Sequence, residues 1–140
     1  CYNNSTNRCA VEGTMKYRLI SWNVNGIRAV EKRGFLNWIE SCGADIVMLQ
    51  ETKAHPDQVS AFLREPKGYV SEWCWAEKKG YSGVATFSRQ PAPVTRGLGD
   101  PRFDCEGRVL ISHFPQFTLF NIYYPSASGR EERLPYKLDF

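Results

Sequence analysis

Between Tyr17 and Leu49 the chain changes its hydrophobic period twice, and that alternation limits its possible folds more than any other feature. Tyr17-Arg18-Leu19-Ile20-Ser21-Trp22 reads as a strand. Asn23-Val24-Asn25-Gly26 carries it into a turn, where Asn and Gly supply unusual backbone angles. Ile27, Val30, Gly34, Phe35, Trp38, Ile39 and Cys42 then recur at spacings of three and four, which predicts one amphipathic helix ended by Gly43. Residues 45–49 form a short apolar run, the pattern of a strand covered on both faces. Strand, helix and strand in that order require a sheet with a helix packed on it.

The remaining pattern extends this unit. Residues 56–64 predict a short second helix, with Pro56 in its first turn. Strand-like stretches at 69–76, 83–88, 108–114 and 117–124 are rich in β-branched and aromatic residues. Residues 90–104, with three prolines and two glycines, read as a loop, and 131–140 open another helical pattern. The order β-α-β-α-β-β-β-β-α predicts a mixed α/β sheet with helices outside.

Composition narrows the class. At 140 residues, 42% of them hydrophobic and 24% charged, one globular domain is expected. The longest fully apolar run, Ile46-Val47-Met48-Leu49, is far short of the roughly 20 residues of a spanning helix, so no membrane partner is expected. Residues 1–14 are polar and aperiodic, without the apolar stretch of a signal peptide, and are expected to be a disordered or non-native extension. The domain is then expected over 15–140, truncated at its C-terminus. Five cysteines form no C-x-x-C pair, and His55 and His113 stand far apart. Reduced thiols in a cytoplasmic protein are therefore expected, not a zinc site, and both histidines are read as structural. A net charge of +3 permits a polyanionic partner without demanding one.

Polar residues gather where strands end: Asn23 and Asn25, then Gln50-Glu51-Thr52-Lys53, then Asn121 with Tyr123 and Tyr124. Ligands of α/β sheets bind at the carboxyl ends of strands, so these groups could converge. Glu51 follows an apolar strand, where a carboxylate suits Mg²⁺, which takes one or two carboxylates with waters and phosphate oxygens. Alternatively it pairs with Lys53 or caps the helix near Pro56. Asn23 and Asn25 either orient a phosphate or simply form the turn, and Tyr123 either donates to a phosphate or packs. Lys78, Lys79, Gly80 and Tyr81 stand on a connection that could bind nucleic acid or be a solvated hairpin. Arg28 is near enough to the Asn25-Gly26 turn to reach a bound phosphate, or lies on a solvated helix face.

Five motifs in order resemble the exodeoxyribonuclease III family of apurinic/apyrimidinic (AP) endonucleases, within the endonuclease/exonuclease/phosphatase superfamily. They are Ser-Trp-Asn-Val-Asn-Gly-Ile-Arg (21–28), Asp-Ile-Val-Met-Leu-Gln-Glu-Thr-Lys (45–53), Gly-Tyr-Ser-Gly-Val-Ala (80–85), Glu-Gly-Arg (106–108) and Asn-Ile-Tyr-Tyr-Pro-Ser (121–126). The resemblance implies the N-terminal half of a four-layer, deoxyribonuclease I-like α/β sandwich. It implies metal-assisted cleavage of double-stranded DNA at abasic sites and 3′ ends, by a bacterial enzyme that is monomeric when complete. Glu51 then resembles the Mg²⁺ or Mn²⁺ ligand, Asn23 the asparagine beside metal and phosphate, and Tyr123 the active-site tyrosine. Arg28, Gly80 and Tyr81 match positions that touch the DNA backbone. Asn25 stands where some members have an aspartate paired with the lysine matching Lys53, a bond that an amide cannot make as an ion pair. The family's Gly-Asp-x-Asn and Ser-Asp-His motifs do not occur in these 140 residues, so the chain itself is expected to be nearly inactive. A non-catalytic DNA-binding module and a superfamily phosphatase are the alternatives.

Overall fold

The computed structural model describes residues 15–126 and 133–140. The expected N-terminal extension and the first two residues of the expected last helix lie outside the described residues. Strand β1 (Leu19–Asn23) pairs in parallel with β2 (Ile46–Gln50), Asn23 opposite Gln50. Parallel neighbours need a crossover, supplied here by two short helices, α1 (Ile27–Glu31) and α2 (Phe35–Ser41). The single helix expected over 27–42 is therefore broken. Its break is at Gly34, whose φ of 93° no continuous helix contains. The three-four spacing survives because residues 32–34 take up about one turn, so Ile27, Phe35 and Ile39 are all buried.

The expected helix over 56–64 is also divided. Pro56–Gln58 is one 3-10 turn, Val59 is extended, and Ser60 caps a new helix, α3 (Ala61–Arg64), by accepting from Leu63 N at 3.1 Å. Strand β3 (Val70–Cys74) then pairs antiparallel with β4 (Val84–Ser88), which pairs antiparallel with β2, giving the order β1-β2-β4-β3. Every residue of β4 is buried. Ala85 and Phe87 join the core under the helices with Phe35, Trp73 and Leu49, whereas Val84 packs with Leu110 of a second sheet.

That second sheet is antiparallel: β5 (Val94–Arg96), β6 (Val109–His113) and β7 (Thr118–Ile122). The loop expected over 90–104 therefore holds a strand and a short helix, α4 (Pro101–Asp104). Three residues between prolines are too few to show a period. What makes β5 a strand is its pairing with β6 and the ion pair from Arg96 to Glu72 at 2.6 Å. Helix α5 (Leu134–Asp139) lies near α4, where Phe140 meets Phe103 edge-on at 5.3 Å. The fold is thus the expected mixed α/β type, with sheet faced on sheet. Asn121, almost wholly buried, joins the two sheets: its amide nitrogen donates to Ala85 O at 2.9 Å and its oxygen accepts from Gln50 Nε2 at 2.8 Å. Among the described residues no helix is long and apolar enough to cross a membrane.

Candidate active site

Main-chain hydrogen bonds lace three strand ends together where the polar motifs lie. Val24 N donates to Gln50 O at 3.0 Å, Gly26 N to Glu51 O at 2.8 Å and Ile27 N to Thr52 O at 2.9 Å. On the other side Thr52 N donates to Gly83 O at 3.0 Å and Lys53 N to Ser82 O at 2.8 Å. The lacing holds an unusual backbone. Asn25, Glu51, Lys53 and Ser82 have φ of 46°, 58°, 51° and 47°, and among the described residues these are all the non-glycines in the left-handed region. Each such residue costs about 1 kcal/mol or more, which its surroundings must hold in place. Gly83 permits the close approach, since a Cβ there would lie 2.5 Å from Thr52 Oγ1.

The side chains converge on Glu51. Lys53 Nζ lies 2.9 Å from Glu51 Oε1 and donates to Asn25 Oδ1 at 2.5 Å. Glu51 and Lys53 are thus paired, and the Asn25 amide anchors Lys53 as a neutral acceptor in place of an ion-pair partner. Asn23 Oδ1 accepts from Asn25 N at 3.0 Å, which leaves the Asn23 amide nitrogen to donate to Glu51. Burial opposes ionisation of Glu51. Hydrogen bonds from Lys53 and Asn23, the Lys53 charge and the Tyr123 hydroxyl outweigh it, and hold the carboxyl below its ordinary 4.5. Desolvation and the Glu51 charge in turn push Tyr123 above 10.0, so at neutral pH it is a hydrogen-bond donor. Asn23, Asn25, Glu51, Lys53 and Tyr123 therefore form one cluster, with Tyr123 supplied by the second sheet. Among the described residues no group of three or more His, Cys, Asp or Glu could hold a metal, so the cluster's oxygen donors are one carboxylate and neutral amide and hydroxyl groups.

One residue of consequence escaped the sequence reading. Arg108 is only 3% exposed, and its guanidinium donates to Glu106 Oε2 at 2.5 Å, to Tyr123 O at 3.0 Å and to the Tyr81 hydroxyl at 3.0 Å. It also lies over the Tyr123 ring at 4.9 Å. Arg133 reaches the same Glu106 at 3.2 Å, so Glu106 lies below its ordinary 4.5 despite burial. Burial and the Glu106 charge push Tyr136 up to about 12. Arg108 thereby ties Tyr81 to Tyr123. The Glu-Gly-Arg triplet was its only signal, because a buried arginine at a strand entrance has no period of its own.

Arg28 and Gly80 line one depression with Lys32 and Lys53, beside the cluster, and Tyr81 follows Gly80. His55 caps the 3-10 turn by accepting from Asp57 N at 3.2 Å, and His113 shares a hydrogen bond with Thr95 at 3.0 Å.

Residues 20–140 match the profile of the Endonuclease/Exonuclease/phosphatase family. The chain belongs to that family. Among curated members, an exodeoxyribonuclease of Bacillus subtilis is 42% identical over 88% of this chain and 48% of its own length. A DNA repair nuclease of Danio rerio is 40% identical over 86% of this chain and 40% of its own length. The solved structure of an AP endonuclease from Archaeoglobus fulgidus aligns with a TM-score of 0.76 at 26% identity, covering 89% of this chain and 48% of that one. The chain thus spans less than half the length of each of these three relatives.

Proposed function

We propose that this chain is part of a DNA repair nuclease that hydrolyses phosphodiesters at abasic sites and at 3′ ends of double-stranded DNA, with Mg²⁺ or Mn²⁺. The observation that carries the reading is the convergence of Asn23, Asn25, Lys53 and Tyr123 on an ionised Glu51 at the strand ends, in a chain whose relatives are named as such nucleases. The donor set fits the metal through Glu51: one carboxylate kept ionised suits a hard divalent ion that takes one or two carboxylates and retains waters and phosphate oxygens. Glu51 would hold that ion with Asn23 beside it. A bound ion there supplies positive charge against the phosphate and the departing oxygen.

The chain's own residues do the rest. Tyr123 remains protonated near neutral pH, and its one O–H hydrogen, donated to Glu51 here, can turn to an incoming phosphate instead. Lys53, pinned on both sides, adds a fixed positive charge, and fixed donors need no rearrangement as charge develops. Arg28, Gly80 and Tyr81 would contact the DNA backbone alongside, and Arg108 keeps Tyr81 and Tyr123 in mutual register. No residue of this cluster is a free general base for water, and such a base typically contributes about 10²–10⁴-fold. The 140-residue chain should therefore incise poorly.

The test is incision of a duplex carrying one synthetic abasic site. The gene product extended to the length of the relatives should cleave it with Mg²⁺ and lose at least about 10²-fold with Glu51→Gln. The 140-residue chain should bind without appreciable cleavage. No cleavage by the extended protein, or full cleavage by Glu51→Gln, sinks the proposal.

A further inference from the structure

A cavity of about 380 Å³ opens beside the cluster, between the segment after Lys53 and the hairpin loop joining β3 to β4, and no role given above uses it. Trp75 forms part of its wall and is 38% exposed, although it already meets another ring. That ring is His55, set edge-on at 4.4 Å and 70°. Tyr81 also lines the space, with Lys78 Nζ 5.4 Å from its ring centre. The wall is fixed by main chain. Glu77 N donates to Cys105 O at 2.9 Å, and Gly107 packs so close to Trp75 that a Cβ would lie 2.5 Å from its carbonyl oxygen.

The cavity adjoins the depression where Arg28, Lys32 and Lys53 outnumber the one carboxylate, Glu31, because Gln58 and Gly80 line both. A strand whose phosphates follow the depression would therefore pass the mouth of an aromatic chamber. Asp57 and Glu77 line the chamber together with Lys78 and Lys79, so its charges balance and a phosphate is drawn to the depression outside rather than into it. The same carboxylates can accept hydrogen bonds from an exocyclic amino group. A flat heteroaromatic ring thus suits the inside, and its phosphate suits the depression outside.

We propose that this cavity receives one unstacked nucleobase, from a single-stranded stretch adjoining the duplex, stacked on Trp75. The inference rests on the reading of this end of the molecule as DNA-binding. Bases with an exocyclic amine, adenine among them, are favoured over thymine, which has none. Aromatic platforms hold single-stranded bases in this way with little dependence on sequence, so the preference comes from the carboxylates.

The experiment measures binding of the 140-residue chain at low salt to labelled DNAs by fluorescence anisotropy. The probes are a blunt duplex, the same duplex with a short single-stranded adenine overhang, one with a thymine overhang, and one whose overhang has abasic sugars but the same phosphates. The adenine overhang should bind about tenfold more tightly than the abasic overhang, with thymine between them. Trp75→Ala should remove that difference, and Trp75→Phe should keep most of it. Both variants should bind the blunt duplex like the parent chain, which shows that they are folded. Equal binding of adenine and abasic overhangs, or an adenine preference that survives Trp75→Ala, overturns the cavity assignment while leaving the DNA-binding reading intact. Failure to bind any of the DNAs overturns both.

Discussion

The two sheets meet the same site from opposite sides but are built unequally. The four-stranded sheet has a core on its helical face drawn from every element between β1 and β4, and its β4 is buried throughout. The three-stranded sheet has a buried cluster of only a few residues shared with Val84, and its β7 carries Phe120 at 55% exposure. Glu51 stands on the first and Tyr123 on the second, so the cluster's geometry depends on the seam between a well-buried sheet and a thinly covered one. Besides the small apolar cluster of Val84 and Leu110, what holds that seam is polar: Asn121 across the strands, and Arg108 at the end where Tyr123 emerges.

The largest effect should separate the sheets outright. Phe87→Ala removes a fully buried ring between Phe35 and Trp73 and should cost about 3–5 kcal/mol, whereas Phe120→Ala should change stability by less than about 0.5 kcal/mol. Paired urea melts check this, and similar losses would mean that the second sheet is better packed than its exposure indicates. A smaller effect tests the seam. Asn121→Leu should cost about 1–3 kcal/mol by leaving the Gln50 amide and the Ala85 carbonyl without their partner, with the loss seen first as greater hydrogen exchange in β7. Uniform loosening of both sheets would instead place Asn121 inside one cooperative unit.

The smallest effect is acid sensitivity. Glu51 and Glu106 both lie below the ordinary 4.5, so their contribution is complete above that value and is lost as pH falls through their lowered values. The melting temperature should be level from neutral pH to about 5 and fall below 4.5. Glu106→Gln should flatten that fall more than Glu51→Gln, because Glu106 is held by two arginines, one of them buried, against one half-exposed lysine. Melting curves that coincide for the two variants would remove the distinction.

Legibility followed the same division. Strands β1 and β2 and the site residues at their ends were readable because an apolar run followed by polar residues states its own geometry. The break at Gly34 was not, since a turn's worth of residues preserves the apolar face on either side of it. Strand β5 was hidden for the opposite reason: three residues state nothing, and partners far along the chain make them a strand. Asn23, Glu51 and Tyr123 lie within motifs, but their convergence is tertiary, as is the whole role of Arg108. The pairing of Lys53 with the Asn25 amide likewise needed geometry, because residue types alone indicated only the lack of an ion pair.

The left-handed backbone at Asn25, Glu51, Lys53 and Ser82 has a consequence for sequence choice. At each position glycine would relax the main chain and erase the side chain, and at Asn25, Glu51 and Lys53 that side chain also makes an ion pair or hydrogen bond that helps hold the fold. The acid and the lysine stand at torsions that a chain chosen for backbone comfort alone would give to glycine.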